Sequence, residues 1–150
     1  MKVKIIRSSL VYGKGMKGNL GLLKKYAQRK YLPQIPEFNN RKSMVHVDDV
    51  ARSLLYLANN VSISNDIFYL TDGNSYSTRQ IFEKLRFGES AKENKLALPL
   101  FLFKALSLFN SKIKKRFDKL SSSELYSSEK LKKIGFDTKF SLENIDEEII

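Results

Sequence analysis

The stretch "RSSLVYGKGMKGN", Arg7 to Asn19, reads as a strand that runs through a glycine-rich turn into a helix. Upstream, Val3, Ile5 and Ile6 extend the strand over Lys2 to Ser8. Downstream, Leu20, Leu23, Ala27 and Tyr31 recur at helical spacing and predict a helix from about Asn19 to Tyr31. Strand, turn and helix form the opening half of a βαβ unit. "GKGMKG", Gly13 to Gly18, also spells G-x-G-x-x-G, the pattern in which glycines let backbone amides approach a pyrophosphate at a helix end. A dinucleotide site needs in addition an acidic residue about 20 positions on, after a second strand. What stands there is "RKYLPQIPEF", broken by proline and with Glu37 as its only acid, so a plain strand-to-helix connection is the better reading.

Composition narrows the chemistry. The 150 residues are 42% hydrophobic and 29% charged, enough for one folded domain with a core. The chain holds no cysteine and one histidine, which excludes disulfides, a thiol nucleophile and any metal centre built from thiolates or several imidazoles. No metal site is expected. The most apolar run, Leu96 to Phe109, is interrupted by Pro99 and Lys104 and falls short of the ~20 residues that span a bilayer. The start "MKVKIIR" lacks the apolar core of a signal peptide. A cytoplasmic protein with no membrane partner is expected. A formal net charge of +11 favours anionic partners, although only "KIKKRFDK", Lys112 to Lys119, is clustered. That is short for a nucleic-acid footprint, so a basic module for nucleic acid or another polyanion is the alternative reading, not the first.

Further along, Pro33 and Pro36 hold "LPQIPEFNNR" extended, and "SMVHV", Ser43 to Val47, reads as a strand. Asp48 is placed to cap a helix running to about Asn60, with Val50, Leu54 and Leu57 inward. "IFYLT", Ile67 to Thr71, is a strand closed by the turn "DGNS", and Ser77 with Gln80 predicts a capping box for a helix to about Leu85. Helices are expected near Leu98 to Phe109, near Ser123 to Ile134 and from Ser141. The fold class is α/β: a few parallel strands with a mostly helical lobe.

Several residues invite chemistry. Tyr26 and Lys30 have the Y-x-x-x-K spacing of a tyrosine acid/base, but a structural tyrosine beside a solvated lysine is the plainer reading. His46 beside Asp48 and Asp49 suggests a triad, yet no G-x-S-x-G elbow exists, and a packed histidine is favoured. Arg41, at a strand entry, suits bidentate binding of a phosphate; the alternative is a solvated loop arginine. For Arg116 the choice lies between pointing at an anion and lining a solvated helix end.

Taken together, four blocks resemble the extended short-chain dehydrogenase/reductase family of NAD-dependent nucleotide-sugar epimerases and dehydratases. "IIRSSLVYGKG" is similar to that family's R-P-x-x-V-Y-G-P-G strand, and "RKSMVHVDDVA" to its R-x-x-x-V-x-V-x-D-x-A block. "IFYLTDGNSYSTRQI" resembles its last sheet strand and helix, and "KKRFDKLSSSELYSSEKLKKIGFDTKF" its closing segment. The resemblance implies the C-terminal part of a Rossmann-like parallel sheet with a substrate-binding lobe, spanning residues 1–150, the N-terminal NAD-binding portion and the catalytic Tyr/Lys being absent. It implies a UDP-sugar substrate held by Asn19, by Pro33, Gln34 and Ile35 at the base, and by Arg41 and Arg116 at the diphosphate. Ser8 and Val11 would lie near the nicotinamide of NAD. No catalytic residue is expected in this chain, which would be inactive alone and would need a separately encoded N-terminal half. Ser8 and Lys14 replace two family prolines, and Leu10 fits the branch acting on N-acetylated sugar nucleotides in polysaccharide synthesis.

Overall fold

In the computed structural model, which describes residues 3–29, 33–63, 66–86, 99, 101 and 111–144, the opening stretch forms two consecutive strands. β1 (Lys4–Ser8) pairs in parallel with β4 (Asp66–Leu70), from Lys4 opposite Asp66 to Ser8 opposite Leu70. β2 (Leu10–Tyr12) pairs in parallel with β3 (Lys42–His46), from Leu10 opposite Met44 to Tyr12 opposite His46. Ser9 is the pivot: its amide still bonds the Leu70 carbonyl at 3.0 Å before the chain changes neighbour. The single strand expected over Lys2 to Ser8 thus continues as a second short one, because Leu10 and Val11 find β3 beside them. A two-residue strand, β5 (Ser75–Tyr76), completes a sheet of order β2-β3-β5.

Five helices of the described residues complete the list: α1 (Gly18–Ala27), α2 (Val47–Asn59), α3 (Thr78–Leu85), α4 (Ser111–Ser121) and α5 (Glu129–Lys133). The chain divides into two compact units. Unit 1 comprises Met1–Lys14, Ser43–Ser75 and Leu125–Ile150; unit 2 comprises Gly15–Lys42 and Tyr76–Glu124.

Unit 1 is built on a cluster of Val45, Leu57, Phe68, Leu70, Leu131 and Phe136, with Ile6, Val11 and Val50 packed against it. The inner face of α2 differs from the one its apolar pattern predicts. Asp49, Ser53 and Leu57 are buried at i, i+4 and i+8, while Leu54 is 55% exposed. Asp49 faces inward because both its oxygens accept from the Lys139 amide, at 3.1 and 3.0 Å, and one accepts from the Phe140 amide at 3.0 Å. It also pairs with Arg52, whose guanidinium donates to the Asp137 carbonyl at 3.3 Å and lies over the Phe136 ring. A buried carboxylate held by three amide contacts and a guanidinium is stable where a bare one is not. Nor does Asp48 cap this helix. The cap is His46, two residues earlier: the helix opens at Val47, and the His46 Nδ1 accepts from the Asp48 amide at 3.3 Å.

In unit 2, α1 buries Leu20, Leu23 and Ala27, as its spacing predicts, and packs on α3. Ser77 and Gln80 form the capping box of α3. The helix expected over Ser123 to Ile134 is instead two: α4 ends at Ser121, and α5 starts only at Glu129. Between them Glu124 bridges to Lys42, which holds that segment extended. The helix expected near Leu98 to Phe109 and the position of Tyr31 lie outside the described residues.

Asp49→Ala leaves the Lys139 and Phe140 amides without their buried acceptor, a change that costs about 1–3 kcal/mol. Urea denaturation is expected to show a loss of that size, with Asp49→Asn falling between it and the wild type; an unchanged midpoint would contradict this role.

Candidate functional site

Six of the sequence-predicted site residues, Asn19, Pro33, Gln34, Ile35, Arg41 and Arg116, fall in unit 2, and the other two, Ser8 and Val11, in unit 1. The organising residue of unit 2 was not among them. Asn40 is buried, and its amide nitrogen lies 2.8 Å from Thr78 Oγ1, 2.8 Å from the Leu120 carbonyl and 3.0 Å from the Ser122 carbonyl. Its Oδ1 accepts from the Thr78 amide at 3.2 Å. One side chain thereby joins the start of α3 to the end of α4. Beside it Lys42 is also buried, donating to the Lys119 carbonyl at 2.9 Å, where a cation favours the helix C-terminus. Burial pushes the Lys42 ammonium below its ordinary lysine value, partly offset by Glu124.

Arg41 stands between these two buried side chains, and alternation turns it outward. Its amide donates to Ser123 Oγ at 3.1 Å and its carbonyl accepts from the Glu124 amide at 2.9 Å, so the backbone is fixed on both sides. The exposed guanidinium donates through Nη1 to Gln80 Oε1 at 3.0 Å. Gln80 Oε1 is itself held by the Ser77 amide at 2.8 Å as part of the capping box. One planar cation is therefore oriented, with most of its donors turned to solvent. The Arg116 backbone lies on α4 next to Phe117, whose ring meets Phe38 edge-on at 5.7 Å; the Arg116 side chain lies outside the described residues.

The base-lining segment is fastened to the same helix turn. Ile35 is buried and its carbonyl accepts from Arg79 Nη1 at 2.5 Å, one residue before the glutamine that holds Arg41. The half-buried Pro33 accepts at its carbonyl from the Tyr26 hydroxyl at 3.3 Å, and Gln34 is half-buried. Asn19 is exposed in the first turn of α1, where it makes no cap; the N-cap is Lys17. Burial raises the Tyr26 pKa, against a lowering by Arg86. A tyrosine serving as a base needs the opposite shift, which agrees with the structural reading of Tyr26. Lys30 lies outside the described residues.

In unit 1, Ser8 is exposed at the end of β1, while Val11 packs its side chain against the buried cluster. The glycine loop has backbone reasons for its residues. Gly13 sits at φ +131°, and a Cβ there would stand 2.7 Å from Val47 Cγ1 and 3.0 Å from His46 Nε2. Gly15, at φ +79°, has nothing within 4 Å of such a Cβ. Gly18, at φ +64°, likewise has nothing within 4 Å, so the third glycine of the motif does not make the close helix-to-strand approach of a dinucleotide fingerprint. His46 is buried between Tyr12 and Phe140, at 5.3 and 4.6 Å between ring centroids, as a packed histidine. Unit 1 also carries an open groove of about 450 Å³ lined by Ile63, Asp66, Phe68 and Lys130, none of them a predicted site residue. Among the described residues no cluster of side chains suits a metal ion, and no helix is long and apolar enough to cross a membrane.

No family model matches the chain. Among curated proteins it is 30% identical over 105 residues to an uncharacterized protein, y4nL, of Sinorhizobium fredii, covering 66% of this chain and 30% of that one. It is 26% identical over 105 residues to a UDP-glucose 4-epimerase of Vibrio cholerae, covering 69% and 32%. The chain thus spans about a third of the length of these relatives. Among solved structures it superposes on a UDP-N-acetylglucosamine 4-epimerase from Bacillus cereus with a TM-score of 0.70 and 16% identity, over 99% of this chain and 44% of that one. A UDP-glucose 4-epimerase from Thermotoga maritima, solved with UDP-glucose, gives 0.61 and 20% identity, over 95% and 43%. A human epimerase family protein, SDR39U1, solved with NADPH, gives 0.69 and 15% identity, over 97% and 47%.

Two outcomes are expected from this geometry. Gly15→Ala should cost about 1–2 kcal/mol, the ordinary penalty of left-handed backbone, and Gly13→Ala more, because its methyl also meets Val47; equal losses in urea denaturation would contradict the contact. Lys42 gives a pH signature. Its folded value lies below the unfolded ~10.4, so the unfolded chain holds the extra proton between the two and stability rises with pH across that window. Denaturation midpoints of the wild type should rise relative to Lys42→Met as pH approaches ~10; parallel curves would contradict the burial of the charge.

Proposed function

We infer, for a chain that has the fold of the extended short-chain dehydrogenase/reductase epimerases, that unit 2 is the substrate-binding part of a nucleotide-sugar enzyme and grips the diphosphate of a UDP-sugar. The observation that carries this is Arg41: an exposed guanidinium on a backbone bonded at both its amide and its carbonyl, aimed by a capping glutamine. A planar fork held that way offers paired N–H donors to phosphate oxygens at little cost in side-chain freedom. Arg116, on the helix against which this segment lies, is the second cation of the clamp, and Asn19 reaches the sugar-diphosphate. Pro33, Gln34 and Ile35, tied to the turn that orients Arg41, line the uracil. The surplus of basic residues then raises the local concentration of an anionic substrate.

The reaction is epimerisation or dehydrogenation of the sugar in surface-polysaccharide synthesis, in the cytoplasm, with a nicotinamide cofactor. When bound, that cofactor supplies hydride transfer. This chain's share of its site is slight: Ser8 is open to it, but the side chain of Val11 is committed to the core, and Gly18 lacks the helix-to-strand contact of a dinucleotide fingerprint. On this reading the described residues bind the substrate and leave the hydride chemistry to an NAD-binding portion of the fold.

Calorimetric titration of the full chain with UDP is expected to show binding that Arg41→Ala weakens at least tenfold. Arg41→Lys should not rescue it, because a point charge lacks the fork. Equal UDP affinity in wild type and Arg41→Ala would overturn the assignment. Binding of generic DNA at physiological salt, unaffected by Arg41→Ala, would favour the polyanion reading instead.

A further inference from the structure

We propose that Arg79 is a positioning residue for nucleoside recognition: it seats the strip from Pro33 to Ile35 at a fixed place beside Arg41, so that the site prefers a nucleoside diphosphate to a bare diphosphate. This rests on the reading of unit 2 as a diphosphate-binding part and says what adds the nucleoside preference to it. Proline makes the strip stiff, because Pro33 and Pro36 have a fixed φ and Ile35, the residue ahead of Pro36, is confined to extended backbone. A stiff strip keeps its shape unaided. What it needs from the rest of the unit is a place.

The first turn of α3 supplies that place. Three consecutive residues there each hold a different point of the chain between Ile35 and Arg41. The Thr78 amide donates to Asn40 Oδ1 at 3.2 Å, Arg79 Nη1 donates to the Ile35 carbonyl at 2.5 Å, and Gln80 Oε1 accepts from Arg41 Nη1 at 3.0 Å. Base strip and phosphate cation are thus referred to one turn of helix, whose own geometry is set by the capping box of Ser77 and Gln80. A second helix meets the strip as well. The Tyr26 hydroxyl of α1 donates to the Pro33 carbonyl at 3.3 Å, and the Tyr26 ring lies 5.9 Å from that of Phe82 in α3.

Arginine suits this task in a way that lysine does not. Its Nε donates to Glu83 Oε1 at 2.6 Å, one turn along α3, while Nη1 reaches the Ile35 carbonyl, so one rigid plane is anchored at one corner and holds with another. The Arg79 side chain is only 16% exposed and Ile35 is buried, which shelters the bond from competing water. With its charge paired to Glu83, Arg79 differs from Arg41, whose fork is turned to solvent. Burial of Ile35, Pro36 and Phe38 holds the segment in the unit independently of this bond. Losing the guanidinium therefore costs placement, not fold. Placement shows in the difference between two ligands: UDP uses strip and cation together, inorganic pyrophosphate the cation alone.

Calorimetric titration of the full chain with UDP and with inorganic pyrophosphate tests this. The wild type is expected to bind UDP about tenfold or more tightly than pyrophosphate. Arg79→Met should lose about fivefold or more in UDP affinity, with pyrophosphate affinity and circular dichroism unchanged. Arg79→Lys should not restore it, because lysine has no counterpart of Nε to stay anchored to Glu83 while it reaches Ile35. Should Arg79→Met fold poorly, Glu83→Gln carries the test from an exposed position, with an expected loss of about twofold for UDP and none for pyrophosphate. Equal losses for the two ligands, or an undiminished preference for UDP in the variant tested, would overturn the proposal. A wild type that binds both ligands equally would overturn it and leave the diphosphate reading standing, whereas a wild type that binds neither overturns that reading and the proposal with it.

Discussion

A buried carboxamide organises unit 2. Asn40 is surrounded by the Leu120 and Ser122 carbonyls, at and just past the end of α4, and by the hydroxyl and amide of Thr78 at the start of α3. Helix ends leave amides and carbonyls unpaired. An asparagine is among the few side chains able to donate and accept at once, so it can satisfy the start of α3 and the end of α4 together. Thr78 closes the network through its hydroxyl, which donates to the Leu120 carbonyl at 2.6 Å. Because a half-satisfied buried network costs more than none, the arrangement fixes one geometry and rejects neighbouring ones.

That geometry matters for the residue beside it. With Asn40 and Lys42 both directed inward, Arg41 has one direction left, and the bonds to Ser123 and Glu124 hold the backbone against rotation. Gln80 serves two purposes: it caps α3 and it orients the guanidinium. The cation is therefore positioned before any ligand arrives, which lowers the ordering cost of binding. Unit 1 is tied together by a different device, the inward carboxylate of Asp49, which draws the segment from Asp137 to Phe140 onto α2.

Much of this was legible in the sequence, and what was not has particular causes. Strands in β-branched runs and the capping box at Ser77 and Gln80 announce themselves, since their signals are local. The parallel pairing and the α/β class follow from the alternation of strands with helices. Asp49 and Ser53 misled the helix reading, because apolar periodicity alone assigns the inside of α2 to Leu54. Only a partner 90 residues away, the amides of Lys139 and Phe140, turns the acid inward, and no local pattern encodes it. Asn40 was missed for the same reason: its partners lie 38 to 82 positions along the chain. Arg41 could be picked from its place at a strand entry, but Gln80 as its orienting partner could not.

The account depends on Arg41 being a preorganised ligand for a nucleotide diphosphate. The most direct measurement is the NMR signal of the Arg41 guanidinium in the isotopically labelled chain, followed as UDP is added. The account predicts that the Arg41 Nε resonance shifts and saturates with the same concentration dependence as backbone signals from Pro33 to Ile35. A saturable response elsewhere in the chain with Arg41 unmoved, or no saturable response at all, would contradict it.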